Sequence, residues 1–489
     1  MKRSKRMVSV VILGLLLFSI ISVREPSESL GMARDESVNA RVSRTNGDVG
    51  VTDVGDYFLY LPLVAKKFPP PPSVFGVQMN PVSQRGGLDK VAEAWTTWVG
   101  YVMIDWSAVE PTQGTRNWSA SVEQQLINAT ENYLTPIVNV RLTPEWARKY
   151  RDYSCGPMAR QYFDEFADFM FDAVARYSQP PYNVEYWEIW NEPDVDPAET
   201  PFKWIGCWGD KNDSYYGGGY YADMLKIVYP RIKQADPDAQ VLVGGLLLDC
   251  DPNNPPPGKD CTSSKFLEGI LVNGGGNYFD GVSFHAYEYY NGQLGTYSNP
   301  NWHSTWNTTG PVMTAKKSYL QSLLNKYKVP GKYLINTECA LLGDGRAGDS
   351  DFEQTKAYYV AQSYATAIAG GLKGNLWYSV LGWRNSGLLD ENLNPLPAYD
   401  AYKFGRQELG GAAFVGGVGA GDVSNPSGLK GYKFNTDEGV VWILWSRDGQ
   451  NHTVTLTPGT PRAVYNTYGV SQAATNPIQV GLEPVYLEW

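Results

Sequence analysis

Val184-Glu185-Tyr186-Trp187-Glu188-Ile189-Trp190-Asn191-Glu192-Pro193-Asp194 is a short apolar and aromatic run that breaks off into acidic residues and a proline. β-Branched and aromatic residues favour a strand, and the proline ends it. Strict alternation sends Glu188 and Trp190 to one side and leaves Glu192 at the exit. Seven further runs have the same character: Val74–Met79, Val99–Ile104, Pro136–Val140, Gln240–Leu246, Phe279–His285, Tyr333–Glu338 and Asn375–Val380. Between them lie stretches with helical periodicity, among them Gln161–Tyr177, Tyr220–Gln234, Ala315–Tyr327 and Glu353–Ala369. Eight strand-like runs, each followed by a helix-like one, predict an α/β fold, a (β/α)8 TIM barrel over residues 73–410. A doubly wound open sheet is the alternative. It would show a glycine-rich phosphate turn after the first run, and Gly76-Val-Gln-Met-Asn80 is not one.

After Gly410 the texture changes. Glycine-rich turns separate the runs Gly431–Phe434, Val440–Trp445, Thr453–Leu456 and Val485–Trp489, and helical periodicity disappears. Residues 411–489 therefore read as a small C-terminal β-sandwich that braces the barrel or binds sugar. At the other end, Lys2, Arg3, Lys5 and Arg6 precede the apolar stretch Val8–Val23. This is the pattern of a signal peptide over residues 1–23, or of an uncleaved membrane anchor. Residues 24–72 are polar, end in the run Pro69–Pro72, and read as a proline-rich linker. The expected location is secreted, with a membrane tether through the N-terminal segment as the variant.

With 489 residues and 43% hydrophobic content the chain can bury a large core. A net charge of −10 argues against nucleic acid or anionic membrane surfaces as partners, because both require a basic footprint. No protein partner is implied. Sixteen Trp and 33 Tyr offer flat faces suited to sugar rings, and serve equally as core. Five cysteines fit an oxidising compartment. Cys250 and Cys261 bracket a loop they can close; Cys155 and Cys207 fall in loops after consecutive runs and can also meet; Cys339 is left over. Three histidines without an HExxH or paired CxxC give no zinc pattern, so no metal and no cofactor is expected.

In a parallel barrel the reacting groups gather at the carboxyl ends of the strands. Two runs carry a glutamate there: the fourth at Glu192, the seventh, Leu334-Ile335-Asn336-Thr337-Glu338, at Glu338. A carboxylate is costly to bury unpaired, so two at equivalent positions require an explanation. A pair facing one pocket suits glycosidic cleavage, one attacking the anomeric carbon and the other moving the proton.

Trp190-Asn191-Glu192-Pro193 resembles the strand-four motif of clan A glycoside hydrolases, and Thr337-Glu338 resembles their strand-seven nucleophile. Within the clan the chain looks most like the β-xylosidase and α-L-iduronidase family or the cellulase-type family. The resemblance implies a retaining hydrolase of oligo- or polysaccharides that needs only two carboxylates and water. Glu192 would be the acid/base, Glu338 the nucleophile, and Asn191 a partner of the sugar 2-hydroxyl. It further implies that His285 and Tyr287 orient the carboxylates and that Trp377 forms a platform under the sugar. Trp106, in Asp105-Trp106-Ser107-Ala108-Val109-Glu110-Pro111, would shape the pocket wall. No Arg stands near Gly100-Tyr101-Val102, where the clan usually has one; Arg141 either takes a related role or is a surface charge. Tyr289, Tyr290, Trp302, Trp306, Trp204 and Trp208 fall in long loops and serve either substrate stacking or loop packing. A transglycosylase shares the first half-reaction. An inactive carbohydrate-binding barrel would more naturally lack one Glu, and a Ser/His acyl hydrolase would carry a G-x-S-x-G elbow, which this chain does not.

Overall fold

The computed structural model describes residues 71–198, 206, 208–294, 300–306 and 311–489. The export segment, all of the linker but its last two residues, Trp204 and Cys207 lie outside the described residues. The eight barrel strands are β1 (Phe75–Gln78), β2 (Trp98–Asp105), β3 (Thr135–Arg141), β4 (Tyr186–Asn191), β5 (Gln240–Leu246), β6 (Gly281–Leu294), β7 (Tyr333–Leu342) and β8 (Asn375–Trp377). Each pairs in parallel with its neighbours in chain order, and β8 returns to β1 to close the barrel. A main helix follows each strand: α1 (Leu88–Glu93), α2 (Ala120–Glu131), α3 (Phe163–Tyr177), α4 (Gly218–Ala235), α5 (Phe266–Val272), α6 (Val312–Lys326), α7 (Ser350–Ala369) and α8 (Pro397–Leu409), and a short helical turn at Trp106–Val109 precedes α2.

Alternation along the strands sorts the barrel interior into layers. At the amino end Trp98, Ile137, Tyr186, Leu242, Ile335 and Leu376 form a separate apolar cluster, with the Trp98 and Tyr186 rings edge to face at 4.9 Å. Two residues further along β3 and β4 the interior turns polar. Asn139 Nδ2 donates to Glu188 Oε2 at 2.8 Å, and Thr337 Oγ1 donates to Glu188 Oε1 at 3.0 Å. The buried Glu188 carboxylate is thus held by neutral donors directly beneath the rim.

Two strands run past their expected ends. β6 continues from His285 to Leu294 and pairs antiparallel with the short strand Pro300–His303; β7 continues from Glu338 to Leu342. The aromatic, β-prone stretch Tyr287–Tyr290 sustains the first extension. The last strand stops at Trp377, three residues before the end of its apolar run.

Beyond the barrel, β9 (Ala413–Gly417), β10 (Leu429–Thr436), β11 (Gly439–Ser446), β13 (Ala463–Tyr465), β14 (Ser471–Gln472) and β16 (Val485–Glu488) form a six-stranded antiparallel sheet. β12 (His452–Val454) and β15 (Ile478–Val480) make a second, two-stranded sheet. Both faces of the larger sheet's central strand β11 are buried. On β11, Trp442 and Leu444 join the module's own core, whereas Val441, Ile443 and Trp445 belong to the barrel's. Tyr486 of β16 meets Phe404 of α8 with ring centroids 5.0 Å apart.

Candidate active site

Glu192, His285 and Glu338 converge at the carboxyl end of the barrel. Each presents one donor atom, and these three atoms lie within 4.8 Å of one another. His285 Nδ1 stands 2.9 Å from Glu192 Oε1 and 3.4 Å from Glu338 Oε2. The Tyr287 hydroxyl donates a short hydrogen bond to Glu338 Oε2. Asn191, half-buried, ends β4 beside Glu192.

The backbone that places these groups departs from regular geometry. Trp190 and Glu192 have φ of 75° and 47°, in the left-handed region, where non-glycine residues rarely sit outside sites that require it. This breaks the alternation expected on the fourth run. Trp190 turns away from the Glu188 side, packs on Phe166 of α3 and on Trp208, and donates its indole N–H to the Cys155 carbonyl. Glu192 is thereby carried over the rim, its own N–H bonded to Gly245 O at 2.9 Å. On β7 the register slips by one residue between Phe284–Asn336 and His285–Glu338. That bulge sets Glu338 level with His285 while Thr337 reaches down to Glu188. Gly245 supplies the room: a Cβ there would lie 2.1 Å from His285 Nε2.

Electrostatics couples the three groups. Burial opposes a charge on His285, but the Glu338 carboxylate and the hydrogen bond to Glu192 outweigh it and push its pKa up to about 9. The ring is therefore protonated at neutral pH. Its Nδ1 faces both carboxylates, and the spacing of the three groups would accommodate a metal ion. Glu338 is pushed up to about 7 by burial; His285 pulls it down, Glu192 raises it, and the Tyr287 hydroxyl favours the ionised form.

The remaining expected residues are placed elsewhere. Trp377 is fully buried, its indole N–H on the Ser386 carbonyl, so it presents no face to a sugar. Trp106 is also fully buried, against Trp146, Phe166 and Phe169, with its N–H on Glu110. Glu110 further accepts from Gly114 N and Arg116 Nε, so this stretch is a hydrogen-bonded corner and not a pocket wall. Arg141 pairs with Asp105 at 2.9 Å, and no bond joins it to Glu338. Trp208, Trp302 and Trp306 are buried and serve loop packing. Cys250 and Cys261 form a disulfide; Cys155 is disulfide-bonded too, while its expected partner Cys207 lies outside the described residues. Cys339 is a free, buried thiol.

Sequence reasoning missed three aromatics. Trp383 is 50% exposed and stands edge-on to Tyr287 and Tyr378 at 6.2 and 6.1 Å, with the Arg384 guanidinium 5.1 Å from its ring centroid. Tyr378 follows β8 directly and lies 5.9 Å from Tyr101, whose φ of 72° marks a bulge in β2. Tyr101 and Tyr378, with Gln78 and Asn80, line a cleft of about 170 Å³ at the ends of β1 and β8. The signal for Trp383 was a tryptophan in a polar Gly-Trp-Arg-Asn-Ser-Gly loop just after the last strand.

The barrel, with a glutamate over the ends of β4 and β7 and a β-module behind, has the fold of the clan A glycoside hydrolases. A family 39 glycoside hydrolase from the gut symbiont Bacteroides cellulosilyticus WH2 superposes with a TM-score of 0.64 at 18% identity, over 86% of this chain and 81% of that one. A GH30 endoxylanase from Clostridium papyrosolvens C71 gives 0.57 at 13% identity, over 85% and 96%. A GH39 enzyme from Xanthomonas axonopodis pv. citri gives 0.54 at 13%, over 85% and 93%. No family model matches the chain, and no curated protein matches it.

Proposed function

We propose that the chain is a retaining glycoside hydrolase cleaving O-glycosidic bonds of oligo- or polysaccharides, with Glu192 as acid/base and Glu338 as nucleophile. The observation that carries this reading is the approach of the two carboxylates, whose facing atoms lie within 4.8 Å. Double displacement needs carboxyls about 5–5.5 Å apart; inversion needs about 6.5–9.5 Å, to admit a water. Two structural neighbours are described as a family 39 glycoside hydrolase and a GH30 endoxylanase, which supports glycoside hydrolysis.

In the first step a Glu338 oxygen attacks the anomeric carbon. The bond to the leaving oxygen breaks as Glu192 hands that oxygen its proton, and a glycosyl ester forms on Glu338. In the second step water attacks the same carbon, gives a proton to the Glu192 carboxylate, and releases Glu338 as a carboxylate. Tyr287 and protonated His285 donate to the carboxylates throughout, stabilising whichever is charged. Trp383, the exposed aromatic beside Tyr287, is the surface on which a sugar ring stacks.

The test is incubation with a panel of 2-fluoro glycosides followed by peptide mass mapping. A label on Glu338 supports the reading and reports the sugar accepted; a label elsewhere, or none with a sugar the protein hydrolyses, refutes it. Export rests on the basic residues before Val8–Val23. A neighbour at 10% identity is described as a conserved exported protein from Bacteroides fragilis, and among the described residues no helix is long and apolar enough to cross a membrane. Sequencing the mature N-terminus from culture medium decides it.

A further inference from the structure

Lys316, on α6, is buried. Its ammonium donates to two main-chain carbonyls, Leu247 O at 2.7 Å and His285 O at 2.8 Å. The first lies just past the end of β5; the second belongs to the residue that bridges Glu192 and Glu338. From the other side Asp194, also buried, accepts from Leu247 N at 2.9 Å and Leu248 N at 2.8 Å. Asp194 is two residues beyond Glu192, on the same turn. The peptide at 247–248 is thus gripped between a buried anion and a buried cation. Trp306 Nε1 adds a bond to Leu248 O at 2.7 Å.

Burying an ammonium and a carboxylate costs several kcal/mol each unless hydrogen bonds and opposite charge repay it. A leucine at 316 would close the same gap between α6 and the barrel without that cost. The charges add a second tie among three segments that also meet at Gly245: the turn bearing Glu192, the end of β5, and the stretch of β6 bearing His285. We infer that Lys316 and Asp194 are positioning residues that act through the Leu247–Leu248 peptide to hold Glu192 and His285 in register for proton transfer. This rests on the reading of Glu192 as acid/base.

Protonation of the leaving group matters for a poor leaving group and hardly at all for an activated one, and that difference separates positioning from general stability. The experiment compares a dinitrophenyl glycoside with the methyl glycoside of the sugar the wild type hydrolyses fastest, in K316M, K316R and D194N, with circular dichroism as the check on folding. In K316M and D194N kcat/KM should fall by about 30- to 100-fold on the methyl glycoside and less than about fivefold on the activated one, a partial loss of the roughly 10²–10⁴-fold that general acid catalysis supplies. K316R, which keeps the charge and donors, should recover part of the loss. D194N is nearly isosteric and decides the matter if K316M does not fold. Equal losses on both substrates in folded protein, or no loss on either, overturn the proposal. Glu192→Ala is run alongside: if it shows the leaving-group split and the two clamp variants do not, only this inference fails. If Glu192→Ala shows no split, the assignment of the acid/base fails first.

Discussion

Replacing Tyr287 by Phe removes one hydroxyl and leaves the ring, so its effect isolates the bond to Glu338 Oε2. A buried hydrogen bond to a charged group contributes about 1.5–3 kcal/mol. At 1.36 kcal/mol per pKa unit, its loss raises the Glu338 carboxyl by about 1–2 units. The direction follows from the donor: a phenol O–H stabilises the ionised carboxylate, so without it the proton binds more tightly. Glu338 already stands near 7 because of burial and the Glu192 carboxylate. The nucleophile must be ionised to attack, so activity lost on the acidic side begins at a higher pH in Tyr287→Phe. The measurement is kcat/KM for an aryl glycoside from pH 4 to 9, with circular dichroism to verify the fold. The acidic limb should move up by about 1–2 units, and activity at pH 6 should fall by about tenfold or more. An acidic limb that stays in place or moves down refutes the assignment of Tyr287 as the donor that keeps Glu338 ionised.

Glu338→Gln should abolish turnover while the melting curve stays close to wild type; residual activity above about 1% would remove Glu338 from the nucleophile role. Glu192→Ala should keep substrates with activated leaving groups and regain rate with azide, which replaces water in the second step and appears in the product as a glycosyl azide; absence of that product counts against it. Trp383→Ala should raise KM by about tenfold, about 1.4 kcal/mol of binding, with little change in kcat, and an unchanged KM would mean that no sugar stacks there. Gly245→Ala drives a methyl group to 2.1 Å from His285 Nε2. It should lower the melting temperature and cut kcat together, and a normal enzyme would show that β5 can retreat without disturbing His285.

How much of this was legible in the sequence depended on whether a residue's position follows from periodicity. The barrel did, because eight apolar runs interleaved with helical stretches, with no glycine-rich phosphate turn after the first, favour a closed barrel over an open sheet. Glu192 and Glu338 did as well, since each stands where an apolar run gives out. Trp377 and Trp106 did not. Both are aromatic and close to strand ends, and which way such a ring turns is decided by a bulge or a left-handed residue that no pattern announces. Trp190 makes the point: one φ of 75° reverses the side that alternation assigns to it. Arg141 was ambiguous for another reason. Its partner Asp105 is 36 residues away and adjacent only because β2 and β3 pair in that register. Lys316 gave no signal at all, because a lysine on a helix reads as a solvent-facing charge until the helix is docked.

The two-sided burial of β11 in the C-terminal sheet bears on how the molecule comes apart. Val441, Ile443, Trp445 and Tyr486 belong to the barrel's core, and Tyr486 packs on Phe404 of α8, the helix that completes the ring begun by β1. A chain cut at Gly410 would expose that aromatic surface to water, while the severed fragment would display the matching one, and each would stick to its like. Heat should therefore melt barrel and appendage in a single calorimetric peak, and the shortened enzyme should precipitate when expressed without its tail.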